Sequence, residues 1–248
     1  MSRALLLAIA LTLAGCRSAM PLPPADAPTP PPLPPGAGRT ADPDNIRWVR
    51  DSAEYLAAVV QAYRVATTHV EAMAPGRQSG RWAVILDADE TVISNLEYQV
   101  ERARLGLGYS AESWNLWVRR REATPLPGAA AFLARVRELG GRIAIVTNRL
   151  ESECEDTAAV FRRFALVYDA MLCRPDSGPS DKNPRFEAVA RGQSPAGAEP
   201  LEVIAYLGDN IQDFPGLSQA VRQQGAEGVS SFGVRFFVIP NPMYGSWQ

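Results

Sequence analysis

Five short apolar runs alternate with polar segments along this chain, and turn or capping residues bound each of them. The runs lie at residues 82–86, 143–146, 170–172, 203–207 and 234–239. Runs this short and this continuous are typical of strands that a sheet buries on both faces. The pattern therefore predicts five strands.

Stretches with helical spacing lie between these runs, at residues 127–139, 151–164 and 217–224. The first of them has a proline near its start and a Gly-Gly pair just beyond its end, as helices often do. Strands that alternate with helices indicate an α/β fold, here a doubly wound, parallel, five-stranded sheet.

Two segments stand outside the alternation. Residues 51–73 form a long helical stretch before the first strand, and an insertion at residues 95–124 separates the first strand from the next helix. Open α/β sheets bind ligands beyond the carboxyl ends of their strands. We expect a small helical cap there, with elements at about residues 46–75 and 95–124.

The first 16 residues are typical of a targeting segment. A short basic start leads into an apolar run at residues 4–14, which is too short to span a bilayer. The run ends in Leu-Ala-Gly-Cys, which resembles a bacterial lipobox with Cys16 as the lipidated residue. The alternative is an ordinary secretory signal with an incidental cysteine. We expect residues 1–15 to be a lipoprotein signal peptide and Cys16 to attach the protein to the membrane of the bacterial cell envelope, at the outer membrane or facing the periplasm.

Residues 16–45 cannot pack a core, because ten prolines fall between Pro21 and Pro43. Such a segment is typical of a semi-rigid polyproline tether. It would hold a folded domain at residues 46–248 away from the membrane.

Composition excludes several classes of function. The net charge is −2 and there is no basic block, so no nucleic-acid polymer is expected as a partner. A single histidine, His69, lies in the long helical stretch, where surface or capping positions are usual. One histidine excludes histidine phosphatases and metal sites built from several histidines. Of the 25 basic residues only Lys182 is a lysine, either a stray surface residue or one that arginine cannot replace.

Two aspartates follow the first predicted strand directly, in the segment Asp-Ala-Asp-Glu-Thr at residues 87–91. Asp87 and Asp89 stand two residues apart at the exit of a buried strand. One carboxylate can attack phosphorus while the other gives a proton to the leaving oxygen. Alone, the pair is weak evidence, because turns use aspartate freely.

Further polar residues end the other strands. Thr147 ends the second strand and suits a phosphoryl oxygen, or it caps the helix that follows. Lys182 comes after the third strand, where an ammonium offsets the charge of a carboxylate and a phosphate. Asp209 and Asp213 follow the fourth strand and complete an oxygen-rich site suited to Mg²⁺. Parallel strands end at one edge of the sheet, so these side chains are expected to converge.

These motifs resemble those of the haloacid dehalogenase (HAD) superfamily of phosphohydrolases. Further segments resemble its class C acid phosphatases, bacterial surface lipoproteins that hydrolyse phosphomonoesters, often 5′-nucleotides. Those segments are Ser-Ala-Glu-Tyr at 52–55, Val-Thr-Asn-Arg at 146–149, Gly-Asp-Asn at 208–210 and Pro-Asn-Pro-Met-Tyr-Gly-Ser-Trp at 240–247. The resemblance covers residues 46–248 and implies the α/β fold of subfamily IIIB.

The resemblance implies a role for each motif residue. Asp87 is the nucleophile and a metal ligand. Asp89 is the general acid and then the base, and its backbone carbonyl binds Mg²⁺. Asp209 is a further metal ligand, which Asp213 supports. The mechanism needs Asp87 ionised and Asp89 protonated together, so a mildly acidic optimum is expected.

Phosphate-binding and substrate-binding residues follow in the same way. Thr147, Asn148 and Lys182 bind the phosphoryl group. Aromatic residues of the insertion and the C-terminus are candidates for stacking on a nucleobase. The alternative for each of them is packing within the cap or at a homodimer contact. These candidates are Tyr98, Trp114 and Tyr244.

The substrate is less defined than the chemistry. Ala88, Ser94 and the arginine run at 119–121 depart from residues that family members often carry. The expected function is a Mg²⁺-dependent acid phosphatase that hydrolyses small phosphomonoesters, in the first place 5′-nucleotides, through an aspartyl-phosphate intermediate. The alternatives are another HAD phosphatase or phosphotransferase that acts on a sugar phosphate, and a surface lipoprotein without activity.

Export would place Cys154 and Cys173 in an oxidising compartment. The predicted elements put them at a helix start and a strand end on one edge of the sheet. A disulfide and two buried thiols are both compatible with that placement.

Overall fold

The structure of the chain, a computed structural model, describes residues 42–248. The predicted signal peptide, the lipidation residue Cys16 and all but the end of the tether lie outside the described residues. The strands are β1 (Trp82–Leu86), β2 (Ile93–Ser94), β3 (Thr124–Pro125), β4 (Arg142–Leu150), β5 (Ala170–Arg174), β6 (Glu202–Gly208) and β7 (Phe236–Val238). The helices are α1 (Asp44–Asp51), α2 (Ala53–Met73), α3 (Leu96–Arg104), α4 (Ala111–Arg120), α5 (Ala129–Glu138), α6 (Cys154–Arg163), α7 (Asn183–Ala190) and α8 (Gly225–Gly228).

Five strands form one parallel sheet in the order β5-β4-β1-β6-β7. The predicted α/β fold is thus confirmed. β1 lies at the centre of the sheet, and all five of its residues are buried. Its side chains alternate between two apolar clusters, with Val84 and Leu86 in one and Ala83 and Ile85 in the other. A strand that is buried on both faces has a continuous apolar sequence, and this is why the sequence pattern predicts β1.

Helices cover both faces of the sheet. α2 and α5 pack together, and α2 also contacts β6 and β7. The buried stripe of α2 recurs at helical spacing, with Tyr55, Val59, Tyr63, Ala66 and Val70. On the opposite face, Phe186 and Val189 of α7 pack against the sheet.

The insertion contains α3 and α4 between the two short strands β2 and β3, which pair antiparallel. α1 contacts α3, and α4 contacts α6. Sequence had assigned the whole of residues 46–75 to the cap. The buried stripe of α2 faces the sheet and α5 instead, so only α1 extends the insertion.

Several elements differ from the prediction in their bounds or type. β4 continues to Leu150 with an irregular register after Val146, because Leu150 pairs again with Arg174. Thr147 therefore lies within the strand and does not cap a helix. The predicted helix at 217–224 is a 3₁₀ segment, Gln219–Gln224, followed by the single turn of α8. α7 has no counterpart in the prediction, because its eight residues are too few to show a clear helical spacing in the sequence.

Cys154 and Cys173 form a disulfide that joins the start of α6 to β5 across 19 residues. Closing a loop of that size stabilises a fold by about 3 kcal/mol. His69 is half-buried, with Nε2 2.9 Å from the carbonyl oxygen of Ile204 and its ring against Phe237. It therefore packs on the sheet and not at the surface. Within residues 42–248, no helix combines the length and the apolarity of a membrane span.

Candidate active site

Three carboxylates meet at the carboxyl ends of β1 and β6. Oxygen atoms of Asp87, Asp209 and Asp213 all lie within 4.8 Å of one another. The backbone N–H of Asp87 donates to the carbonyl of Leu207 (3.0 Å), which ties the end of β1 to β6. Gly208 allows Asp213 to approach the end of β6, because a Cβ atom at position 208 would lie 2.2 Å from the Cβ of Asp213. The predicted convergence of Asp87, Asp209 and Asp213 is thus what the structure shows.

Lys182 lies between two of these carboxylates and is itself buried. Its Nζ donates to Oδ1 of Asp87 and, at 2.6 Å, to Oδ1 of Asp213. The other oxygen of Asp213 accepts from the backbone N–H of Asn210 (2.9 Å). Asp213 is therefore held by Lys182 and by the turn after β6, as a supporting residue would be.

Burial and mutual repulsion dominate the electrostatics of this cluster. Burial, only partly offset by Lys182, raises the pKa of Asp87 to about 7. Burial and the charges of Asp213 and Asp87 raise the pKa of Asp209 well above its ordinary value. For Lys182, burial acts to lower the pKa, but the charges of Asp213 and Asp87 prevail and raise it. The ammonium therefore stays charged.

The residues present fit a divalent cation. Three carboxylates against one ammonium leave a formal charge of −2 when all are ionised, since −3 and +1 sum to −2. The donors are hard oxygen atoms of the kind that Mg²⁺ and Ca²⁺ prefer. A divalent ion bound by Asp87 and Asp209 would balance that charge.

Glu90, outside the carboxylate cluster, is a further buried carboxyl with a raised pKa. It has a positive φ of 51° in the turn after Asp89. Burial and the neighbouring charge of Asp89 raise its pKa to about 7 from 4.5, although hydrogen bonds from Tyr244 and Asn95 act in the opposite direction. The backbone N–H of Asn95 donates to its Oε1 at 2.6 Å, and the hydroxyl of Tyr244 donates to Oε2.

We expect the chelator-treated protein to lose stability as pH rises from 5 to 8. A raised carboxyl pKa means that the folded state holds the proton more tightly than the unfolded chain, so its stabilisation is complete below the unfolded pKa and is lost as pH rises through about 7. Glu90 alone accounts for about 3 kcal/mol. Urea unfolding at several pH values measures the slope, and Glu90→Gln should reduce it but not abolish it, because the raised pKa values of Asp87 and Asp209 contribute in the same direction. A free energy of unfolding that rises from pH 5 to 8 would contradict the raised pKa values of these buried carboxyl groups.

The side chain of Asp89 does not join the carboxylate cluster. Arg149 holds it, with Nη2 2.7 Å and Nε 3.0 Å from Oδ1. Asn95 also donates to Oδ1, at 2.8 Å. Only the backbone carbonyl of Asp89, as the resemblance implies, is left as its contribution to a metal site.

Asn95 is the centre of this second network and is fully buried. Its amide nitrogen donates to Asp89 and to Glu90 (3.0 Å), and its amide oxygen accepts from Trp117 Nε1 (2.8 Å) and Arg149 (3.0 Å). All four positions of the side-chain amide are used, which fixes its orientation. The insertion thus reaches the proposed acid through Trp117 and Asn95.

The C-terminal segment contacts the carboxylate cluster at Asp209. Asn241 Nδ2 donates to Oδ2 of Asp209 (2.8 Å), an outer contact of the kind that orients a metal ligand. Ser246 Oγ donates to Asn210 Oδ1 (2.7 Å), which fastens the segment to the turn after β6.

The predicted phosphate-binding residues lie at the same edge. Thr147 is fully buried, and its hydroxyl oxygen accepts from the backbone N–H of Arg149 (3.1 Å), which leaves the hydroxyl proton available. Asn148 is exposed and lines the cavity with Lys182. Arg185 contacts both Thr147 and Asn148.

A cavity of about 660 Å³ opens above the carboxylates. Trp114 and Tyr244 line it, which is compatible with their predicted role as substrate-binding aromatics, and so does Tyr109, which is 70% exposed. The prediction for Tyr98 was wrong. Tyr98 is 1% exposed and packs edge-on against Trp114 inside the insertion, because it lies on the buried side of α3.

Sequence reasoning assigned no role to four residues of the site: Asn95, Arg149, Arg185 and Asn241. Each is polar and acts through a partner that is distant in the chain, up to 60 residues away for Arg149 and Asp89. The signal that was present was the Thr-Asn-Arg order at the end of β4, which contains Arg149.

Comparison with known proteins agrees with this geometry. The family described as HAD superfamily, subfamily IIIB (acid phosphatase), matches residues 39–247. The class C acid phosphatase from Bacillus anthracis is 28% identical in sequence, with a TM-score of 0.71, over 82% of this chain and 84% of that one. A second structure of the Bacillus anthracis enzyme, with tungstate bound, matches equally well. The carboxylate cluster, its lysine and these matches agree: the chain belongs to the acid phosphatases of HAD subfamily IIIB and is a phosphomonoesterase.

Proposed function

We propose that this phosphomonoesterase uses Mg²⁺, forms an aspartyl-phosphate on Asp87 and acts on 5′-nucleotides. The observation that supports it is the position of Asp87, buried beside Lys182 in a three-carboxylate cluster, under a cavity with an aromatic rim. Another substrate class, such as a sugar phosphate, would leave that rim without a partner.

The residues of the chain perform two steps. In the first, Asp87 attacks phosphorus in line, the bond from phosphorus to the ester oxygen breaks, and Asp89 gives its proton to the leaving alcohol. In the second, Asp89 takes a proton from water, the water oxygen attacks phosphorus, and inorganic phosphate leaves with Asp87 restored. Lys182, Thr147 and Asn148 bind the phosphoryl oxygens. Bound Mg²⁺ would supply charge neutralisation between Asp87 and the phosphate.

Aromatic side chains supply the basis for nucleotide preference. Tyr109 and Trp114 have ring centroids 6.4 Å apart, and the guanidinium of Arg149 lies 5.3 Å from the ring of Trp114. Tyr244 is fixed from the other side through its hydrogen bond to Glu90. Flat aromatic surfaces at a cavity mouth favour a planar base.

We expect adenosine 5′-monophosphate to exceed ribose 5-phosphate in kcat/KM by about 10-fold, since the two differ only in the base. Tyr109→Ala should bring the ratio of the two kcat/KM values closer to 1. The Tyr109 side chain is exposed, so the change should have little effect on folding.

Chelation should abolish turnover and added Mg²⁺ should restore it, with Ca²⁺ and Mn²⁺ as comparisons. Equal kcat/KM for the two substrates would reject the nucleotide proposal, and full activity in excess chelator would reject the metal.

The lipobox-like segment supports attachment to the cell envelope through Cys16. The full chain, expressed in bacteria fed labelled palmitate, should carry the label in the membrane fraction, and Cys16→Ser should not. A label that persists in Cys16→Ser would contradict the lipobox.

A further inference from the structure

One arginine ties the phosphate-binding end of β4 to the loop that carries Lys182. Arg185 lies in the first turn of α7, three residues after Lys182. Its Nη1 donates to the carbonyl of Thr147, and its Nη2 donates to Asn148 Oδ1 at 2.6 Å. The same nitrogen lies 3.4 Å from the carbonyls of Ser180 and Asp181.

All of these acceptors are neutral or part of the backbone. Within residues 42–248 the guanidinium of Arg185 forms no ion pair. Its contact with Asp181 is to the backbone carbonyl oxygen and not to the carboxylate. Burial lowers the pKa of Arg185, and the charge of Asp87 acts to raise it. A guanidinium keeps its charge under such a shift. Its positive charge therefore remains available to the site.

Anchoring the carbonyl of Thr147 has a direct geometric consequence. The described chain has no cis peptide bond, and in a trans peptide the N–H points opposite to the carbonyl. Fixing the Thr147 carbonyl therefore fixes the direction of the Asn148 N–H, while Nη2 fixes the Asn148 side chain. Nη1 and Nη2 of one rigid guanidinium thus orient the Asn148 N–H and the Asn148 side chain together. A lysine has a single nitrogen and could not hold both groups in this geometry.

We propose that Arg185 is a positioning residue for phosphoryl binding, which holds Thr147 and Asn148 in register with Lys182. This proposal rests on the proposed function, in which those three residues bind the phosphoryl group. Arg185 acts through them and does not touch the leaving group.

The test is direct binding of an oxyanion. Calorimetry should show that Arg185→Gln weakens tungstate binding to the metal-loaded protein by about 10-fold or more, as expected for loss of charged hydrogen bonds. Arg185→Lys should be intermediate. The matched control is Arg191→Gln, directly after the same helix, where the change removes an exposed ion pair with Glu187 (2.8 Å).

Two further readouts separate positioning from a structural role. Added guanidinium ion should restore part of the tungstate affinity of Arg185→Gln, and kcat/KM should fall by the same factor for esters with good and poor leaving groups. Unchanged tungstate affinity in folded Arg185→Gln or Arg185→Lys would overturn the proposal. If the unaltered protein binds no tungstate, it is the proposed function that fails.

Discussion

Asp87→Asn is expected to lower kcat by about 10⁴- to 10⁶-fold, the scale on which loss of a covalent nucleophile is felt. Under the proposed mechanism the aspartyl-phosphate then cannot form, because a carboxamide does not attack phosphorus. The change keeps the size of the side chain, and the amide oxygen can still accept from Lys182. It also removes one of three mutually repelling carboxylates, so the fold should persist.

The measurement is steady-state turnover together with a rapid acid quench that traps labelled phosphoenzyme in the unaltered protein. Asp176→Asn is the matched control, because Asp176 is exposed and, among the residues that the structure describes, accepts hydrogen bonds from Ser152 alone (3.0 and 3.1 Å). It should change kcat by less than about 2-fold. A folded Asp87→Asn protein with undiminished metal-dependent turnover would remove Asp87 from the mechanism.

Sequence located the residues whose role depends on where a strand ends. The segment from Trp82 to Leu86 is apolar at every position, and such a run predicts a strand with few alternatives. Once β1 and β6 are placed, parallel pairing brings Asp87 and Asp209 to one edge. No distance information is needed for that step.

Residues whose role depends on packing were not accessible in this way. Tyr98 and Trp114 lie in the same insertion, and composition cannot tell which ring faces the cavity and which faces the core of the insertion. Arg185 resembles any arginine near the start of a short helix until β4 is placed beside it. The end of β4 is predicted too early for a related reason, since the polar residues after Val146 end the apolar run, whereas the strand pairs again at Leu150.

Arg149→Lys is expected to produce a defect that depends on the leaving group. The buried guanidinium of Arg149 holds Asp89 through Nη2 and Nε, and it also contacts Asn95 (3.0 Å) and Thr157 (3.1 Å). Lysine keeps the positive charge but lacks the two parallel N–H donors of the guanidinium, so the carboxyl group of Asp89 is no longer held in one orientation. Under the proposed mechanism, Asp89 then delivers its proton poorly to the ester oxygen.

Proton delivery matters only when the leaving alcohol needs it. We expect kcat/KM of Arg149→Lys to fall by about 10²- to 10³-fold with benzyl phosphate and by only about 10-fold with p-nitrophenyl phosphate. Both esters carry one ring, so contacts with the aromatic rim are matched. Asp89→Asn should show the same selectivity more strongly, because it removes the acid itself.

Arg121→Lys is the appropriate control, since Arg121 forms an ion pair with Asp156 (2.6 Å) and lies outside the cavity. It should affect both esters equally and little. An equal loss for the two esters in Arg149→Lys would show that Arg149 supports the fold or the phosphoryl site and does not act through Asp89. Because Arg185 is expected to give that equal loss together with weaker tungstate binding, the two arginines should be separable: one acts on the proton and the other on the phosphoryl group.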